Sequence, residues 1–246
     1  MSTTALWKAN ILNQSALWKL MGATPVEVQG EQWWQSNSWP YRLWPDSLGA
    51  SASGAELQTV LQTGHCKTVV PVWTEQGTNE VCADYVDGLT LSGQLVQMYL
   101  NLKVEHSPGY SPSITLVDVC DDAMLHDWWQ ICQQAFGYDI DIKVMRTLRG
   151  HNEVRLLLAT QGKQAVGTAV LYKTGDVVGL HQLGVAKAVQ GQGVARQMME
   201  QLIPMARQWQ ASYMMLQASS AGLGLYEKLG FERQGLLHNF RLCNQG

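Results

Sequence analysis

The 246-residue chain is 46% hydrophobic and 15% charged, long enough for one large or two ordinary domains and too apolar to be wholly disordered. Its 17 basic and 20 acidic residues give a net charge of −3, with no stretch that concentrates lysine and arginine, which argues against nucleic acid and against an anionic membrane surface as partners. Apolar runs fall far short of the roughly 20 residues a bilayer requires, and the start lacks a basic segment followed by an apolar one, so the expected location is the cytoplasm.

A helix opens the chain. Ala5-Leu6-Trp7-Lys8 recurs as Ala16-Leu17-Trp18-Lys19, about three helical turns later, which places both tryptophans on one face of a helix ending near Met21-Gly22. Seven of the ten tryptophans fall within the first 73 residues, and the tract Ser38-Trp39-Pro40-Tyr41-Arg42-Leu43-Trp44-Pro45 is both aromatic and proline-punctuated. It reads either as a ligand-lining loop or as a hydrophobic plug, and large aromatics are packers by default. Gly54–Gln62 has the character of a short helix, and Thr68–Trp73 and Gln94–Val104 that of strands. The run His106-Ser107-Pro108-Gly109-Tyr110-Ser111-Pro112-Ser113 interrupts both periodicities. It divides the chain into a tryptophan-rich mixed α/β domain at 1–106, a linker at 107–112 and a second domain at 113–246.

Past the break the pattern sharpens. Ile114–Val119 predicts a strand, Asp121–Phe136 a helix opened by two aspartates, and Ile140–Arg149 a helix ended by Gly150. Glu153–Thr160, Gln164–Lys173 and Val177–Val185 are strand-like runs joined by turns that centre on Gly162 and Gly175. A long helix follows with Ala195, Met198, Met199, Leu202, Ile203 and Ala206 on one face, which Pro204 should kink or cut short. The strand Tyr213–Gln217, a helix near Ala221–Leu229 and a last strand Phe231–Cys243 complete the order β-α-α-β-β-β-α-β-α-β. The predicted class is α+β: a mixed, mostly antiparallel sheet flanked by helices, with a smaller mixed domain at the N-terminus.

Cys66, Cys82, Cys120, Cys132 and Cys243 are odd in number, scattered and free of C-x-x-C spacing, so neither a disulfide framework nor a metal site is expected. His65-Cys66 has no second half at ligand spacing. The chemistry concentrates in His181-Gln182-Leu183-Gly184-Val185, a strand that runs through Gln190-Gly191-Gln192-Gly193-Val194-Ala195-Arg196 into a helix. Glycines at 191 and 193 allow close approach of a ligand, so that the amides of the first helical turn would make a phosphate cradle; the alternative is that the pair is merely a tight turn before the helix. A dinucleotide-binding loop is rejected, because the third glycine position holds Arg196 and no fitting β-α-β unit surrounds it.

Gln190-Gly191-Gln192-Gly193-Val194-Ala195 resembles the Gln/Arg-x-x-Gly-x-Gly/Ala signature of the GNAT superfamily of acetyl-CoA-dependent N-acetyltransferases, with Leu183-Gly184-Val185 on the strand before it. Leu225-Tyr226-Glu227-Lys228-Leu229-Gly230-Phe231 is similar to the family's later Leu-Tyr and Gly-Phe element. The resemblance covers roughly residues 113–243. It implies acetyl-CoA as acyl donor and a primary amine of a small molecule or peptide as acceptor, with no metal. It also implies that coenzyme A would lie on the backbone of Gly191 to Arg196 and pair with the strand edge at Leu183 and Val185, with a bulge near Gly184 where this strand leaves Tyr213–Gln217.

By the same resemblance Tyr226 is the acid that protonates the thiolate, and the Val185 amide polarises the acetyl oxygen. His181, four residues before Val185 on the same strand face, resembles the base of the arylalkylamine subgroup, and Glu153 is a second candidate. Ser219 stands where many members have a cofactor-binding asparagine, and it retains a donor. Asp139 and Asp141, between the first two helices of the second half, either attract a cationic amine or cap the helix near Ile140. The first half has no such glycine signature, and its size allows a degenerate GNAT-like half that contributes acceptor-side aromatics. A homodimer is compatible with these features. The rival from another class is a non-catalytic acyl-CoA-binding sensor or interaction module.

Overall fold

The computed structural model describes residues 1–48, 52–78, 87–104 and 113–242. The first helix, α1 (Thr3–Leu20), starts at Ser2, whose hydroxyl accepts from the Ala5 amide, and ends where Gly22 takes φ +96°. Its buried side is only partly apolar. Leu6, Ile11, Leu17 and Trp18 share it with Asn10, Asn13 and Gln14.

Next comes a small antiparallel sheet that the periodicity does not reveal, β1 (Ala23–Val28), β2 (Glu31–Ser36) and β3 (Leu43–Pro45). Gln29 and Gly30, both at positive φ, turn the chain between β1 and β2, as a two-residue hairpin loop requires. The helix α2 (Gly54–Thr63) begins at Ser53, whose N–H donates to the Glu56 carboxylate. The strands β4 (Val70–Glu75) and β5 (Leu89–Asn101) follow.

Residues 113–242 carry the element order read from the sequence. The strand β6 (Thr115–Asp118) leads to α3 (Asp122–Phe136), where Asp121 accepts from the Met124 amide and Gly137 closes the helix in a left-handed conformation. The helix α4 (Ile142–Leu148) is capped by Asp141. Three antiparallel strands, β7 (Val154–Gln161), β8 (Gln164–Thr174) and β9 (Val177–Val185), turn at Gly162 and Gly175, both at positive φ. A 3-10 turn over Lys187–Val189 precedes α5 (Val194–Gln208), β10 (Tyr213–Ala218), α6 (Ser220–Lys228) and β11 (Glu232–Leu242). Pro204 does not cut α5 short. The helix continues through it to Gln208, because its apolar side, with Met198, Met199, Leu202, Ile203 and Ala206 buried, is held against the sheet.

Eight strands form one sheet in the order β4-β11-β5-β10-β9-β8-β7-β6, in which β9 and β10 are the parallel pair. Alternate residues feed opposite cores. Leu157, Ala159, Ala169 and Leu171 pack with α5 and α6, while Leu156, Leu158, Val170 and Tyr172 pack with α1, α3 and α4. The expected linker at 107–112 lies outside the described residues, and the sheet does not divide there. β5, from before it, lies between β10 and β11, which come after it, and is hydrogen-bonded to both. Among the described residues no helix is long and apolar enough to cross a membrane.

Candidate active site

β9 and β10 pair only as far as Leu180 and Leu216 and then part. The divergence has a local cause on β9. Between His181 and Gly184 two residues, Gln182 and Leu183, oppose the single Ala169 of β8, and Gln182 takes φ +50° to form this bulge. Thr168 accepts the arrangement by donating its hydroxyl to the Gln182 carbonyl at 3.0 Å. Ala186 donates to the Val166 carbonyl, so by antiparallel alternation the N–H and C=O of Val185 face away from β8, toward the gap left by β10.

A cavity of about 420 Å³ opens at this gap. One wall carries Leu180, His181, Leu183, Leu216, Ser219 and Tyr226, and the opposite wall comes from the first third of the chain: Gln14, Trp18, Trp39, Tyr41 and Arg42. Of the four non-glycine residues at positive φ among the described residues, two, Tyr41 and Gln182, line it. Such backbone persists where surrounding packing holds it, often at functional sites.

Tyr226 is 8% exposed, edge-on to Phe231, and burial pushes its phenol up to about 12. It therefore stays protonated across the neutral range. The glycine at 222, which lowers helix propensity, has a steric reason: a Cβ there would sit 3.0 Å from Cε2 of the Tyr226 ring.

His181 is held by α1. Asn13 donates its amide nitrogen to the Tyr172 carbonyl and to the Thr174 hydroxyl, which turns its oxygen toward His181 Nε2 at 3.2 Å. An amide oxygen only accepts, so Nε2 carries the proton and Nδ1 keeps its lone pair. Burial lowers the His181 pKa to about 4, which leaves the ring neutral at pH 7. This positioning contact was not legible in the sequence, because Asn13 reads as one more polar residue of an amphipathic helix.

Beyond β9 the chain folds back on itself, with Gln190 donating its side chain to the Val185 carbonyl at 3.1 Å. Gly191 and Gly193 take φ +76° and +79°, and nothing lies within 4 Å of where a Cβ would stand. No side chain caps α5 at Gly193, so the first-turn amides of Val194, Ala195 and Arg196 point outward without an intrahelical acceptor. The Arg196 side chain pairs instead with Glu200.

Residues 123–231 match the sequence model of the acetyltransferase (GNAT) family. This segment is a GNAT acetyltransferase domain. The fold of the chain is similar to that of a GCN5-related N-acetyltransferase from Kribbella flavida, at 14% identity and TM-score 0.69, over 97% of this chain and 96% of the other. It is also similar to a GCN5-related N-acetyltransferase from Sphaerobacter thermophilus (15% identity, TM-score 0.59, 76% of this chain and 64% of the other). A functionally unknown conserved protein from Staphylococcus epidermidis matches at 12% identity and TM-score 0.59, over 90% and 95% of the two chains. No curated protein matches this sequence.

The cavity of the matched domain thus brings together His181, Leu183, Ser219 and Tyr226, while Val185 at the end of β9 and the residues from Gln190 to Arg196 that follow it are not part of its lining. The turn has the character of an anion cradle, since its outward amides stand beside two glycines with open space above them. Ser219 is the N-cap of α6, its hydroxyl oxygen accepting from the Gly222 amide at 3.3 Å, which leaves its O–H free to donate. Asp141 caps α4 and accepts from Ser38, and Asp139 pairs with Lys67 at 3.0 Å, so both carboxylates are already engaged. Glu153 lies near His151, away from the cavity. Cys82 and Cys243 lie outside the described residues. Cys66 and Cys120 are exposed and Cys132 is buried, and no group of three metal-ligating side chains occurs among the described residues. In the aromatic tract both readings hold in part: Trp39, Pro40 and Tyr41 line the cavity, and Trp44 is core. Arg42, between them, is a site residue that the sequence reading did not single out.

Proposed function

We propose that this chain transfers the acetyl group of acetyl-CoA to the amine of a small molecule or peptide. The observation that carries the reading is a buried, protonated Tyr226 in a cavity at the gap between β9 and β10, beside an uncapped, glycine-flanked helix start. Acetyl-CoA supplies a thioester carbonyl that a neutral amine attacks directly. Gly191, Gly193, Val194, Ala195 and Arg196 hold the pyrophosphate through backbone amides, and Gln190 and Gln192 keep that turn in shape by donating to the Val185 and Ala188 carbonyls. Leu183 and the Val185 amide offer the strand edge left by β10 to the pantetheine arm, and the Ser219 hydroxyl donates to it.

The Val185 amide polarises the acetyl oxygen as charge develops on it. Tyr226 gives its proton to the departing thiolate, and the lone pair on His181 Nδ1 accepts a proton from the amine, directly or through water. Each assignment is of a residue in the protonation state its role requires at pH 7. The test is calorimetric titration with acetyl-CoA followed by thiol release against a panel of amines, for the wild type and for Tyr226→Phe. The variant should keep its affinity for acetyl-CoA and lose about a hundredfold or more in kcat. Equal turnover overturns the role of Tyr226, and absence of acetyl-CoA binding by the wild type overturns the reading as a whole.

A further inference from the structure

The wall opposite Tyr226 holds a cation without a counter-ion. Arg42 is half-buried, its guanidinium lies 5.4 Å from the centre of the Trp18 ring, and one N–H donates to the Asn239 side-chain oxygen at 2.7 Å. Its Nε is buried with no acceptor, and among the described residues no carboxylate pairs with it. Withdrawal from water and, to a smaller degree, the charge of Arg241 lower its pKa to about 10 against an opposing effect of Tyr138, so it remains charged at neutral pH.

Arg241 lines the same cavity. The other charged lining groups, Lys67 and Asp139, form an ion pair with each other, which leaves both guanidiniums without a carboxylate partner among the described residues of a protein of net charge −3. A desolvated charge without a partner is costly, and the planar fork of arginine matches the two oxygens of a carboxylate.

We infer that the acceptor is an amine that also bears a carboxylate, of amino-acid type, seated with its carboxylate on Arg42 and its amine toward Tyr226. This rests on the acetyltransferase reading of the same site. Asn239 orients the guanidinium, Arg241 adds positive potential at the rim, and the rings of Trp18, Trp39 and Tyr41 face the body of the substrate. The reading also reverses the attraction first sought at Asp139 and Asp141: the acceptor side selects an anion.

The test compares matched probes on the intact protein. The twenty L-amino acids are offered with acetyl-CoA, each against its own carboxamide, and thiol release is followed. At least one free acid should exceed its amide in kcat/KM by about tenfold to a hundredfold, as a charge-assisted contact allows. Arg42→Met, which keeps an unbranched side chain but removes the guanidinium, should bring that ratio toward one while the calorimetric affinity for acetyl-CoA stays unchanged.

Binding of the same acids and amides in the presence of coenzyme A, read by calorimetry, gives an answer independent of turnover and of whether the variant folds. Amides that bind and react as well as every acid overturn the proposal. So does an Arg42→Met protein that has lost acetyl-CoA, since the guanidinium would then serve the donor. If the wild type fails to bind acetyl-CoA yet still binds acids over amides, the acetyltransferase reading fails and the carboxylate site stands.

Discussion

Gly222 and Gly224 stand two residues apart on α6 and should respond differently to a methyl group. A Cβ at 224 meets nothing within 4 Å, whereas one at 222 presses on the Tyr226 ring at 3.0 Å. Gly224→Ala should therefore raise stability by roughly 0.5–1 kcal/mol through helix propensity alone, which thermal unfolding would register as an upward shift of a few degrees. Gly222→Ala gains the same propensity but displaces the ring by a few tenths of an ångström, and turnover should fall several-fold at unchanged acetyl-CoA affinity if Tyr226 has the role proposed for it in the chemical step. Equal kcat for the two variants would show that the Tyr226 position is not critical.

His181 carries the pH dependence. Its folded pKa of about 4 lies below the ordinary 6.5, so between these values the unfolded chain binds the proton and the folded chain does not. The contribution of the neutral ring to stability is fully present above pH 6.5 and is lost as pH falls through 4. Its size is on the order of 2 kcal/mol for a partly buried ring. Urea unfolding at pH 7, 5 and 4 should show the wild type losing this increment relative to His181→Asn. A wild type that tracks the variant at every pH would mean that the ring is not desolvated.

Among the elements, α1 shows how a polar seam fastens a helix to a sheet. Asn10 donates to the Met98 carbonyl and to Gln234, and Asn13 joins the Tyr172 carbonyl to His181. Gly179 makes room for it, because a Cβ there would collide with the Asn13 amide. Asn13→Ala strands a carbonyl, a hydroxyl and a ring N–H at once, and should cost roughly 1–3 kcal/mol in chemical denaturation. Because it also frees the His181 ring, it should lower kcat without weakening acetyl-CoA, a split that a merely structural loss would not produce.

The strands and helices after residue 113 were legible because turn glycines and aspartate caps punctuate them. Both Gly162 and Gly175 lie at positive φ, and Asp121 and Asp141 cap their helices. The sheet β1-β2-β3 was not, since Trp33-Trp34 and the prolines around Tyr41 blur a period of two. Of the two effects open to Pro204, a kink or an early end of α5, the structure excludes the early end: tertiary packing of the apolar side outweighs the missing amide of Pro204. At the candidate site, the glycine turn and Tyr226 stand out by their resemblance to family motifs, each contained in a short local run. The polar partners that give Arg42 and Asn13 their place, Asn239 and His181, lie more than a hundred residues away, which no local pattern records.

That non-locality decides how the whole molecule holds together. β5 pairs with β10 from Tyr213↔Asn101 to Ala218↔Val96 and with β11 from Glu232↔Tyr99 to Leu242↔Leu89, so it is the only link through which β11 and β4 join the rest of the sheet. α1 and the aromatic tract complete the core on one face with Leu17, Trp18, Trp39 and Trp44. A fragment of residues 113–246 contains the matched family segment yet lacks both the strand between β10 and β11 and these side chains. It should leave two long edges unpaired and an apolar face uncovered, and therefore show no cooperative thermal transition and a collapsed amide spectrum. Co-expression with residues 1–112 should restore both, because the missing strand enters without a covalent requirement. A fragment that melts cooperatively and binds acetyl-CoA alone would instead establish 113–246 as an autonomous domain. In that case the wall bearing Arg42 would be an addition to a complete enzyme, and the fragment would retain acetyl transfer while losing preference for a carboxylate-bearing acceptor.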